Sequence, residues 1–172
     1  MTAEELMHLD DEPNRHELIK GELLTMSPPG DQHGAIVVNL AALLRDHVKR
    51  KNLGRLTAES GFKLESDPDT VLAPDISFTM RDKAGIPSTG YRPGPPDLAV
   101  EVLSPSDSKG MVERKTALWL KLGAKSVWNV NPKKRTVEVN YSNGEKKVFH
   151  ETDELVDDTI PGFRVPVSEI FA

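Results

Sequence analysis

The run from Asp97 to Asn131 restricts the fold more than any other part of the chain. Asp97-Leu98-Ala99-Val100-Glu101-Val102-Leu103 is an almost continuous apolar stretch of strand length, as expected of an interior strand covered on both faces. From about Lys109 to Leu122, the residues Met111, Lys115, Leu118, Trp119 and Leu122 recur at spacings of three and four, which predicts a helix. Ser126 to Asn131 reads as a second strand after a short return. A strand, a helix and a strand joined this closely form a right-handed crossover, so the two strands lie parallel.

The rest of the chain supplies elements around that unit. Thr2 and Glu5 predict a capping box for a short helix to about Leu9, which Asp11-Glu12-Pro13-Asn14 breaks. Arg15 to Met26 reads as a hairpin turning at Lys20-Gly21, and Ser27-Pro28-Pro29-Gly30 stops it. Ile36, Val37, Leu40, Leu43, Leu44 and Val48 follow the helical period from His33 to about Lys51, with Gly54 just past the end. Strands follow at about Arg55 to Glu65 and Val71 to Phe78, around the turn Ser66-Asp67-Pro68-Asp69. Arg81 to Pro96, rich in Gly and Pro, reads as a long functional or mobile loop. Thr136 to Tyr141 and Glu145 to His150 form an antiparallel pair around Ser142-Asn143-Gly144, and the tail from Ile160 to Phe171 reads as a segment closing one face of the core. No repeat or linker divides the chain, and 172 residues can bury roughly 70% of the unfolded surface. The expectation is one mixed α/β domain over residues 1–172.

Composition narrows the chemistry. Without cysteine there are no disulfides, thiolate zinc sites or cysteine nucleophiles. The acidic start and the lack of any long apolar run predict a soluble cytoplasmic protein with no membrane partner. A net charge of −5 argues against coating nucleic acid by bulk electrostatics but is compatible with a nuclease. The basic runs Lys49-Arg50-Lys51, Lys133-Lys134-Arg135 and Lys146-Lys147 each read as solvated helix ends or turns.

Against this background three charges stand out. Lys115 lies in the apolar stripe of its helix, so it should point inward, and the strand residues Asp75 and Glu101 are its candidate partners. Each has a plain alternative. Pro74-Asp75 can open an edge strand or bulge, and Glu101 can close a buried salt bridge with Lys115. Asp97 reads as an exposed strand-entry residue, and His33 as a surface or capping residue at a helix start. Together, however, one Asp and one Glu on neighbouring strands meet the minimal protein contribution to a Mg²⁺ or Mn²⁺ site, which leaves positions for water and phosphate oxygens. A lysine beside them supplies a point charge where negative charge develops. Neither a Gly-x-Ser-x-Gly elbow nor a P-loop or Gly-x-Gly-x-x-Gly pattern occurs.

The same residues carry a family resemblance. His16-Glu17-Leu18-Ile19-Lys20-Gly21-Glu22-Leu23, Met26-Ser27-Pro28-Pro29, Pro74-Asp75-Ile76-Ser77-Phe78, Pro96 to Ser106, Lys115, Trp119, Gly123, Trp128 and Pro161-Gly162-Phe163 occur in the order and spacing of the Uma-type family of restriction-endonuclease-like domains. That family lies within the PD-(D/E)xK nuclease superfamily, and the resemblance spans nearly the whole chain. It implies a core ordered helix, three strands, helix, strand. It also implies a metal-dependent endonuclease acting on DNA, with Asp75 and Glu101 as metal ligands, Lys115 as transition-state stabiliser, Glu22 as an additional acid and His33 as the family's histidine. The superfamily commonly places its lysine two residues after the strand acid, where this chain has Leu103, so the role passes to Lys115. Met111, Ser126-Val127-Trp128 and Val130-Asn131-Pro132 depart from the family pattern but leave the triad intact. Double-strand cleavage would favour a homodimer. Two rivals remain open: a catalytically silent nucleic-acid-binding or protein-interaction module that keeps the triad as an ion-pair network, and a metal-free glycosidase using Asp75 and Glu101.

Overall fold

The computed structural model describes residues 1–9, 14–87 and 89–172. Helix α1 (Ala3–Met7) opens with the expected capping box, in which Thr2 Oγ1 accepts from the Glu5 N–H at 3.1 Å and Glu5 Oε2 accepts from the Thr2 N–H at 2.7 Å. The expected break at Asp11-Glu12-Pro13 lies outside the described residues. The predicted hairpin follows as β1 (Arg15–Ile19) and β2 (Glu22–Met26), paired Arg15 to Met26 through Ile19 to Glu22. Helix α2 (Asp31–Arg50) begins two residues before His33. Then come β3 (Gly54–Ala58), β4 (Phe62–Glu65), β5 (Thr70–Leu72), β6 (Ile76–Met80), α3 (Arg81–Ala84), β7 (Arg92–Pro93) and β8 (Leu98–Val102). The chain ends with α4 (Lys109–Lys121), β9 (Ser126–Asn131), β10 (Thr136–Tyr141), β11 (Lys146–His150), β12 (Glu154–Val156), β13 (Arg164–Pro166) and α5 (Val167–Ile170).

Two main sheets result, one ordered β11-β10-β9-β8-β6-β3 and the other β2-β1-β5-β4-β7. The predicted crossover is present: β8 and β9 pair in parallel from Leu98 with Ser126 to Val102 with Val130, and α4 joins them. In the six-stranded sheet α2, β3, β6, β8, α4 and β9 reproduce the expected order helix, three strands, helix, strand. The mixed α/β class is therefore as read from the sequence.

One departure matters for function. Each of the two long strands expected at Arg55 to Glu65 and Val71 to Phe78 is broken, and its halves join different sheets: β3 and β6 pair in the larger, β4 and β5 in the smaller. Pro74, which has no N–H to give to a ladder, stands in the second break and Asp75 follows it. The expected loop from Arg81 to Pro96 holds α3 and β7, so it is partly built into the fold, with Ser88 outside the described residues.

Strand alternation divides the core. Leu98, Val100, Val102, Trp128 and Val130 pack with Ile36, Leu40, Leu44 and Val48 of α2 and with Phe163, Val165, Val167 and Ile170 of the tail, which closes that face as expected. Ala99 and Val127 turn the other way and meet Phe62, Leu72 and Trp119. Glu101 shares the parity of Ala99, so it faces α4 and the smaller sheet. Among the described residues no helix is long and apolar enough to cross a membrane.

Candidate active site

Ile76 pairs with Val100 across antiparallel β6 and β8, so one further step of register sets Asp75 beside Glu101 at the carboxyl end of β8. Asp75 Oδ2 accepts from the Val102 N–H at 2.7 Å, which locks the carboxylate onto the strand end. The same oxygen lies 3.3 Å from His33 Nε2, and Oδ1 lies 3.4 Å from an Arg15 guanidinium nitrogen. Burial raises the Asp75 carboxyl, but these hydrogen bonds and the charges of His33 and Arg15 outweigh it and hold it below the usual range. The hydrogen bond to Asp75 in turn raises the His33 imidazole against the opposing effect of burial.

Lys115 does point inward. Its ammonium lies 2.9 Å from Glu17 Oε1 and 3.1 Å from Glu101 Oε2, bridging the two main sheets. One turn further along α4, Trp119 donates its indole N–H to Glu101 Oε1 at 2.9 Å while its ring meets Phe62 edge-on, and that fixes the carboxylate between helix and strand. Glu17 Oε1 also accepts from the Ala73 N–H at 2.8 Å. Burial pushes the Glu101 carboxyl up to about 7, against the pull of Lys115 and with help from the negative charges of Glu17 and Asp75. Burial lowers the Lys115 ammonium, but Glu101 and Glu17 outweigh it and raise it. Met111, expected in the inward stripe, is exposed, so the stripe begins at Lys115.

The structure thus brings together Asp75, Glu101 and Lys115 but not Glu22. Glu22 is exposed at the turn end of the hairpin and faces a surface hollow lined by Met1, Lys20 and Ser66 to Asp69. The acid that reaches the cluster is Glu17, from β1 of the same hairpin. No local signal separated the two acids: Leu18-Ile19 beside Glu17 is matched by Leu23-Leu24 beside Glu22, and only the sheet order, with β1 between β2 and β5 and β2 at the edge, buries Glu17 and exposes Glu22. His33 is not a surface residue either. It begins the buried stripe of α2, three residues before Ile36 and seven before Leu40, and no described residue bonds its buried Nδ1. Asp97, expected to be exposed, is fully buried at the other end of β8, where it accepts from the Met80 N–H at 2.8 Å and pairs with Lys83 and Lys125.

Chemically the cluster offers three carboxylates against Lys115, Arg15 and His33. Among the described residues no three His, Asp or Glu side chains form a ready-made metal cage. A hard cation that keeps its waters needs only one or two carboxylates, and Asp75 and Glu101 present oxygen donors alone. Glu101, held up by burial and then by its acidic neighbours, would be relieved by a cation, so the residues present fit Mg²⁺ or Mn²⁺.

Among curated proteins none matches the chain. The solved structure of a protein from Anabaena variabilis, described as "a putative nuclease", superposes with a TM-score of 0.85 at 23% identity, covering 99% of this chain and 97% of the other. That likeness establishes a shared fold. A family model, Uma2, described as "Putative restriction endonuclease", matches residues 3–168, so the chain belongs to the Uma2 family.

Proposed function

We propose that the chain is a metal-dependent endonuclease that hydrolyses DNA phosphodiester bonds at the cluster of Asp75, Glu101, Lys115 and Glu17. The observation that carries this is the Lys115 ammonium held 3.1 Å from Glu101, with Asp75 beside that acid in strand register. Family membership and the shared fold support the coarser statement that it is a nuclease. Asp75 and Glu101 would hold Mg²⁺ or Mn²⁺, which supplies Lewis-acid polarisation of a phosphoryl oxygen and a water of lowered pKa. Lys115 places a positive charge where the phosphorane-like transition state gains negative charge. Glu17 keeps the ammonium aimed at the site, His33 and the Val102 N–H orient Asp75, and Trp119 orients Glu101. Two-strand cutting by a chain with one such cluster would use a two-fold pair of copies.

A second reading has its own support: Lys115 is fully engaged by two carboxylates, as a silent structural network in a nucleic-acid-binding or interaction module would require. The two separate by incubating the wild type, Lys115→Ala and Glu101→Gln with supercoiled, linear and single-stranded DNA under Mg²⁺, Mn²⁺ or chelator. The nuclease assignment expects metal-dependent cleavage by the wild type alone. Absence of both cleavage and calorimetric metal binding in a folded wild type would overturn it.

A further inference from the structure

At the far end of β8 from the cluster, positive charge is concentrated on a framework unrelated to the acids of the site. Arg81 donates to the carbonyl of Asn52, Arg92 to those of Lys83 and Ala84, and Arg55 to that of Gly85. All three guanidinium groups are therefore held against neutral backbone around α3, and among the described residues none forms an ion pair with a carboxylate, Asp97 acting on Arg92 only at longer range. Lys83 and Lys125 lie 3.0 and 2.9 Å from one shared oxygen of Asp97, and about half of each lysine side chain remains in solvent. Among the described residues, Lys83 and Lys125 thus share buried Asp97 while the three arginines are tied to the backbone of residues 52 and 83–85, in a protein whose net charge is −5. The charge of Arg55 also presses on Arg92, whose pKa is lowered first by burial and then by that repulsion. A like-charge cluster of this kind is relieved by an anion.

We infer that the α3 surface, formed by Arg55, Arg81, Lys83, Arg92 and Lys125, is an anchor for the phosphate backbone of a DNA duplex flanking the cluster of Asp75, Glu101 and Lys115. The choice of partner rests on the proposed nuclease activity, and the placement supports it. Asp97 and Glu101 share strand parity, so their side chains leave the same face of the larger sheet. Glu101 lies four residue steps beyond Asp97 along the strand, about 13 Å. Backbone phosphates advance roughly 3.4 Å along the axis per nucleotide of one strand, so the anchor sits about four nucleotides from the scissile bond. Guanidinium groups pre-positioned by carbonyls present their remaining N–H donors without further ordering, which suits phosphate oxygens.

The test measures binding of a 20-base-pair duplex by fluorescence anisotropy, with chelator present, as a function of salt. The Arg81→Gln, Lys83→Gln variant is compared with the wild type and with a charge-matched control, Lys133→Gln, Lys134→Gln, at the exposed β9–β10 turn. We expect the slope of log affinity against log salt to fall by about 0.9 for each contact removed, to stay unchanged in the control, and to be retained in Arg81→Lys, Lys83→Arg. If the neutralised variant lacks a melting transition, Lys125→Gln supplies the same readout, since Lys83 still serves Asp97. Equal slopes in variant and control, or no duplex binding by the wild type, would overturn the anchor. Wild-type binding to polyglutamate in preference to duplex would overturn it in favour of an acidic protein partner. Cleavage and metal binding are measured separately in Mg²⁺: an anchor that holds without either refutes only the nuclease assignment, and cleavage with an unaltered slope refutes only the anchor.

Discussion

Glu101 is where stability and function conflict most directly. Its folded carboxyl sits up at about 7 against an ordinary 4.5, so the folded chain binds this proton more tightly than the unfolded chain does. Linkage then makes its contribution to stability decline as pH rises from about 4.5 to about 7. Glu101→Gln keeps an oxygen for the Trp119 N–H and removes the charge. We predict that the variant gains relative to wild type across that window, by up to about 3 kcal/mol in urea denaturation, while cleavage is lost. A variant less stable than wild type at pH 8 would mean that the pair with Lys115 outweighs desolvation. Lys115→Met should act oppositely, costing about 3–5 kcal/mol at pH 8, because it leaves Glu17 and Glu101 buried without a counter-charge, and costing less at pH 5 as the acids protonate. Asp97 has the reverse sign from Glu101. Burial raises its carboxyl, but the Met80 N–H and the two lysines bring it below 3.8, so it stabilises the fold above the unfolded value and ceases to as pH falls through the folded one. Asp97→Asn is therefore expected to cost about 1–3 kcal/mol at pH 7 and to match wild type near pH 2 in denaturant titrations.

At the scale of elements, the site depends on two strands that bend from one sheet to the other. Glu59 to Gly61 carries the chain from β3 to β4, and Ala73 to Asp75 carries it back from β5 to β6. The two bends meet, since the Glu59 N–H donates to the Asp75 carbonyl at 3.3 Å. Gly61 permits the first bend to close: a Cβ there would lie 2.3 Å from Tyr91 Cδ1, so the ring that anchors the 81–96 segment occupies the space of the missing side chain. We predict that Gly61→Ala destabilises by about 1–3 kcal/mol through overpacking, and that Tyr91→Ala in the same chain recovers part of it. A double-mutant cycle with no coupling would show that the bend does not rest on this contact. The second bend supplies Asp75 directly and the Ala73 N–H that holds Glu17, so loosening it should lower activity more than its cost in stability implies.

Across the whole molecule, one end of β8 balances Asp75, Glu101 and Glu17 against Lys115, Arg15 and His33 while the other end carries an excess of bases, and this unevenness is hidden in a formal net charge of −5. Because burial holds the Glu101 carboxyl up at about 7, it is partly protonated near neutrality, and metal binding by the wild type should release that fraction of a proton. We expect calorimetric titration with Mg²⁺ at pH 6.5 in buffers of different ionisation enthalpy to show that release, to show less of it at pH 8.5, and to show no binding heat in Glu101→Gln. Much of the architecture was legible beforehand. The order of elements, the parallel crossover, the strand position of Glu101 and the inward turn of Lys115 all follow from periodicity and turn chemistry, which neighbouring residues settle among themselves, whereas Asp75, expected within a strand, stands in the break between β5 and β6. Choosing Glu17 rather than Glu22, burying His33 against Asp75, bringing Arg15 to the same carboxylate and sinking Asp97 between two lysines were decisions of the tertiary structure. Those contacts join segments distant in the chain, and they depend on where two strands break to change sheets. Local pattern can show that a carboxylate lies on a covered strand, but which charge it meets there depends on how the sheets pack.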